Sequence, residues 1–102
     1  MKTIEKYHYI YLVKNKNHTL SKIGYTFTNN PKNRLHKYVS HNPECVIAGI
    51  WKVKNKDMEK RVHLELVKRD FVKCNIKHQK EWFVGNILLL EIDQILKDLG
   101  CD

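Results

Sequence analysis

The rhythm of apolar and polar positions changes repeatedly along this chain, and each change marks an element. Tyr7 to Val13 is rich in Tyr, Ile and Val and free of Gly and Pro, which is strand chemistry. Lys14-Asn15-Lys16-Asn17-His18 is polar and turn-prone, and Thr19 to Thr26 resumes β-type residues. The two runs predict an antiparallel hairpin. Asn30-Pro31 reads as a helix start, because Asn can cap and Pro is tolerated in a first turn. Leu35, Tyr38 and Val39 then recur at helical spacing as far as Ser40. Asn42-Pro43 breaks the chain, and Cys45 to Val53 is an apolar, β-branched run long enough for a buried strand. Asn55 or Asp57 caps a second helix, with Met58, Val62 and Leu66 on one face and Glu59 and His63 on a neighbouring one. Cys74 to Lys80 reads as loop, and Trp82-Phe83-Val84 is a short apolar piece. Asn86 opens a final amphipathic helix whose buried stripe is Leu88, Leu89, Ile92, Ile95, Leu96 and Leu99, with Gly100 as its stop.

The order is β-β-α-β-α-(β)-α, without repeats, linkers or low-complexity tracts. It predicts an α+β fold in one domain spanning residues 1–102, a small antiparallel sheet covered by helices. Hydrophobic residues are 42% and charged residues 29%, an ordinary globular balance. No apolar run reaches membrane-spanning length, and Met1 to Lys6 is too polar for a signal peptide. Cys45, Cys74 and Cys101 are odd in number and widely spaced, and read as reduced thiols of an intracellular protein.

Charge changes the picture more than composition does. Residues 1–40 hold eight Lys/Arg against the single acid Glu5, so +7 of the net +8 lies there. A field concentrated in this way suits a polyanion, and nucleic acid is the commonest one. Part of the basic excess reflects a Lys-, Asn- and Ile-rich composition, since sixteen of the nineteen basic residues are Lys.

Candidate chemistry falls in an ordered set. Tyr9-Ile10-Tyr11 lies in the first strand-like run, Lys22-Ile23-Gly24-Tyr25 in the second, and Arg34 and Tyr38 in the first helix-like stretch. Glu59 and His63 open the second helix, and Glu81-Trp82-Phe83 follows later. Singly, each has a plain structural explanation. Tyr11 suits a strand core, Arg34 a solvated helix face, Glu59 a helix-start acid favoured by the macrodipole, and His63 a packing role. Glu81 is most simply an incidental acid ahead of a core plug. Cys74, His78 and His63 lack the paired spacing of a zinc site, and the four glycines form no phosphate loop.

Taken in order, the set resembles the GIY-YIG nucleases over about residues 7–84. Tyr9-Ile10-Tyr11 falls on the first family motif, with Tyr9 at the glycine position. Lys22-Ile23-Gly24 falls on the second, with Lys22 at the tyrosine position, as in a compact phage- and virus-type branch. The resemblance implies a three-stranded antiparallel sheet flanked by helices and a metal-dependent DNA endonuclease. It implies Tyr11, Lys22, Arg34 and Glu59 as catalytic residues and Glu59 as the ligand of Mg²⁺ or Mn²⁺. Tyr9, Tyr25, Tyr38 and His63 would be substrate contacts. Arg34 would meet the scissile phosphate with its fork of donors. Tyr11 would orient or deprotonate the attacking water, helped by the Lys22 ammonium, which favours phenolate. Gly24 would permit close packing beside the site.

The resemblance implies a catalytic domain alone, with weak intrinsic sequence preference or with specificity supplied by a homodimer or a separate partner; no membrane contact is expected. Two rival readings remain. One is a catalytically inactive nucleic-acid-binding module on the same fold, and the other a small protein whose basic face meets an acidic partner.

Overall fold

The computed structural model describes residues 5–74 and 81–100. Two long strands, β1 (Tyr7–Asn15) and β2 (Leu20–Thr28), form the predicted hairpin, with Tyr11 opposite Gly24 and Val13 opposite Lys22. The Asn15 side chain builds the turn: its Oδ1 accepts the Thr19 and Leu20 N–H groups at 2.9 Å each. Helix α1 (Pro31–His41) starts where expected. Asn30 Oδ1 accepts the Asn33 N–H at 3.1 Å, and Pro31 occupies the first helical position.

Strand β3 (Cys45–Val53) pairs with the outer side of β1, and α2 (Asp57–Lys68) follows. Two short strands, β4 (Val72–Lys73) and β5 (Trp82–Val84), then extend the sheet beyond β2, and α3 (Leu89–Asp98) closes the chain. The result is a five-stranded antiparallel sheet in the order β3-β1-β2-β5-β4. The expected three-stranded sheet is its long-stranded part. The two additions are two and three residues long, too short to carry an alternating pattern of their own.

Strand alternation sorts the core into two layers. Ile10 and Leu12 face α2 and α3, where Ile23, Met58, Val62, Leu66, Phe83, Ile92 and Ile95 complete the main cluster. Tyr11 and Val13 face the other way, toward Leu35 of α1, with Tyr38, Ile50 and Trp82 around them. The outer helices are tied by polar contacts. Trp51 Nε1 donates to Asp93 at 2.7 Å, and Arg69 of the α2 C-cap reaches Asp98 at 2.6 Å and Glu91 at 3.4 Å.

Three local expectations need correction. α2 is preceded by Lys56 in a helical conformation with no side-chain cap, so neither Asn55 nor Asp57 plays that part. α3 begins at Leu89 rather than at Asn86, because the buried Ser21 Oγ takes the Ile87 N–H at 2.9 Å and donates to the Gly85 carbonyl at 2.8 Å. That clamp keeps the segment off the helix and puts Ile87, fully buried, in the core. Leu88 and Leu89, expected inside, are 52% and 45% exposed. Gly100 does stop α3, with φ of +82° and its N–H on the Lys97 carbonyl.

Candidate functional site

The site forms where β5 leaves β2. Their ladder ends at Lys22 opposite Trp82, and from Ile23 onward no strand among the described residues lies beside the outer edge of β2. Successive residues of a strand point to opposite faces, but at a free edge groups from both faces can meet around the rim. Lys22 and Tyr11 come from the α1 face, and Glu59 comes from α2 on the other.

Lys22 is the centre of the arrangement. Its side chain is 14% exposed, and its Nζ lies 3.7 Å from Glu81 Oε2. The same ammonium donates to Tyr38 Oη at 3.4 Å, 4.4 Å above the Tyr38 ring and 5.8 Å from the Tyr11 ring centre. Burial works against its charge, but Tyr11, Tyr38 and Glu81 outweigh it and raise its pKa, so Lys22 is cationic.

Tyr11 is buried and lies flat against Gly24. A Cβ there would come within 2.7 Å of Tyr11 Cε1 and nearer still to its Cζ and Oη. Only glycine lets the phenol lie across β2, which is the close packing expected of this residue. The protonation state differs from expectation. Burial raises the Tyr11 pKa above its ordinary value and outweighs the downward pull of Lys22, so the group is a neutral phenol.

Glu59 occupies the first turn of α2, and its Oε2 is fully enclosed with no hydrogen-bond donor among the described residues. Its carboxyl is pushed up to about 7. Burial is the main cause, followed by the charge of Glu81 and hydrogen bonding with it; Lys56 and Lys22 pull the other way.

The remaining predicted residues are distributed around this centre. Arg34 is exposed and lines a groove of about 450 Å³ with Thr28, Asn30, Asn33, Lys37 and Tyr38. Tyr38, one turn further along α1, joins that groove to Lys22. Tyr9 is half-buried on the Tyr11 face, opposite Thr26 and Lys52. Tyr25 lies on the other face, its hydroxyl 2.7 Å from His8 Nδ1. His63 lies in the core, on the same helix as Glu59. It is 7% exposed, its Nε2 donates to the Ile23 carbonyl at 2.9 Å, and burial lowers its pKa. Its ring also meets Phe83 edge-on, so it seats α2 against the free edge of β2.

The T5orf172 domain matches residues 6–100, nearly the whole chain. This chain belongs to the T5orf172 domain family. T5orf172 domains are nuclease-like and DNA-binding in general character. No curated protein and no solved structure matches the chain.

One residue of this T5orf172 domain reaches the site without having been expected there. Glu81 lies 3.7 Å from Lys22 and its charge helps to raise the Glu59 pKa, because the short β5 delivers it to the end of the β2 ladder. Its trace in the sequence is the Glu81-Trp82-Phe83 motif, which reads there as a core plug with an incidental acid. Among the described residues no helix is long and apolar enough to cross a membrane.

Proposed function

We propose that this chain is a metal-dependent DNA endonuclease of the GIY-YIG type, hydrolysing phosphodiester bonds by in-line attack of water. The observation that carries the reading is the largely buried Lys22 ammonium between two phenols, together with a Glu59 oxygen that meets no donor among the described residues. A buried carboxylate oxygen without a donor is costly unless a cation completes it. Glu59 therefore fits the role of ligand to Mg²⁺ or Mn²⁺. Among the described residues no three His, Cys, Asp or Glu converge, which suits a hard cation that keeps most of its positions for water and phosphate oxygen. When bound, such a cation supplies charge neutralisation at the phosphate and a lowered pKa for coordinated water.

The chain's own residues do the rest. Arg34, exposed in its groove, offers a planar fork of donors to a non-bridging phosphate oxygen. Lys22 is held cationic and places fixed positive charge where negative charge develops in the transition state. Tyr11, a neutral phenol, orients the attacking water by hydrogen bonding rather than taking its proton. Tyr38 holds the Lys22 ammonium and borders the phosphate groove. The basic first forty residues supply attraction for the DNA backbone.

The test is incubation of purified protein with supercoiled plasmid and with branched or single-stranded DNA, with Mg²⁺, Mn²⁺ or EDTA. Arg34→Ala and Glu59→Ala variants run beside the natural chain. Nicking is expected only with metal, and each variant should lose on the order of a hundredfold or more in rate. Absence of cleavage, with equal DNA binding by all three proteins, would instead establish the inactive binding module.

A further inference from the structure

Glu81 has no part in the catalytic scheme above, yet the fold fixes it with the same precision as Glu59. In an antiparallel sheet the N–H and C=O of one residue point to the same side of the strand. At the free edge of β2 that residue is Ile23, and both of its outward groups are taken. Its N–H donates to the Glu81 carbonyl at 3.0 Å, and its carbonyl accepts from His63 Nε2 at 2.9 Å. His63 lies one helical turn after Glu59 on α2. One residue of β2 therefore anchors both the segment that carries Glu81 and the helix that carries Glu59. Backbone and core contacts, not flexible surface chains, bring together the segments that carry the two carboxyls.

Resting on the nuclease reading, we propose that Glu81 is a second carboxylate ligand of the same divalent cation, sharing it with Glu59 across the free edge of β2. Three observations carry this. Glu59 Oε2 is enclosed and meets no donor among the described residues. Glu81 is held on Ile23 next to the helix that carries Glu59, and among the described residues its charged partner is Lys22, at 3.7 Å, too far for a close ion pair. The Glu81 side chain is 41% exposed, so the pair is open on the side from which a hydrated cation and a phosphate arrive. Two carboxylates with water and phosphate in the other positions is a ligand set that Mg²⁺ and Mn²⁺ accept. The plain alternative is that Glu81 serves only as the salt-bridge partner of Lys22, a partly exposed pair of small energetic consequence. That alternative gives Glu81 no influence on metal affinity.

Titration of Mn²⁺ into DNA-free protein, followed by electron paramagnetic resonance of the free ion, separates the two. The natural chain, Glu81→Gln, Glu59→Gln and the charge-preserving Glu81→Asp are compared at one pH, and thermal melts establish that each is folded. The expected result is roughly a tenfold or greater weakening in Glu81→Gln, at least as much in Glu59→Gln, and partial recovery in Glu81→Asp. Affinity lost in Glu59→Gln but unchanged in Glu81→Gln would overturn the shared site and leave the nuclease reading standing. No Mn²⁺ binding by the natural chain at millimolar metal would overturn both.

Discussion

The Oε2 atom of Glu59 is enclosed with no donor among the described residues, and the titration of the carboxyl reflects that burial. With its pKa at about 7 against an ordinary 4.5, the folded protein keeps a proton that the unfolded chain gives up between those values. Without metal, this group makes stability decline as pH rises from about 4.5 through about 7, and the decline levels off above that range. Glu59→Gln removes the contribution. In the presence of a chelator, its melting temperature relative to the natural chain should climb between pH 5 and pH 8, by an amount tempered by the partial exposure of the side chain. A difference that stays flat with pH would mean that Glu59 is not proton-bearing in the fold. At this scale the sequence was informative about Tyr11, Lys22 and Gly24, because strand register alone brings them together. It could not disclose the neutrality of Tyr11, which depends on how deeply α1 covers the ring. Nor could it disclose Glu81, whose neighbours come from β2 and α2.

Elements were legible wherever their own pattern outweighed their surroundings. β3 has the bounds its apolar run implies, and α1 starts at its cap and proline. The failures around α3 share one cause, a tertiary contact that overrides a local signal. Asn86 is a competent N-cap by residue type, but the Ser21 clamp on Ile87 holds its segment extended and the helix waits until Leu89. The two asparagines therefore make opposite predictions despite the same local chemistry. Asn30→Ala removes a real cap bond and should cost about 1 kcal/mol in urea unfolding, whereas Asn86→Ala should leave the midpoint unchanged. Equal losses at both positions would place the start of α3 at Asn86 after all. The same clamp accounts for the exposure of Leu88 and Leu89, which the helical stripe had assigned to the core.

For the molecule as a whole, the question is whether its charge asymmetry is a binding surface or a compositional habit. The first forty residues, which hold +7 of the net +8, fold into β1, β2 and most of α1. Lys37 lines the Arg34 groove on that side of the sheet, whereas Lys97 sits on α3 in the opposite layer. A lysine that touches phosphate releases counterions on binding, so its removal lowers the slope of log affinity against log salt by about one, uniformly across DNA sequences. Lys37→Ala should show that change in fluorescence anisotropy titrations at several salt concentrations, and Lys97→Ala should not. Equal small effects at both positions would mean that the positive field is diffuse, a product of lysine-rich composition rather than of a surface built for DNA. A loss confined to Lys37 would align the DNA path with Arg34 and carry it along α1 toward the carboxylates at the free edge of β2.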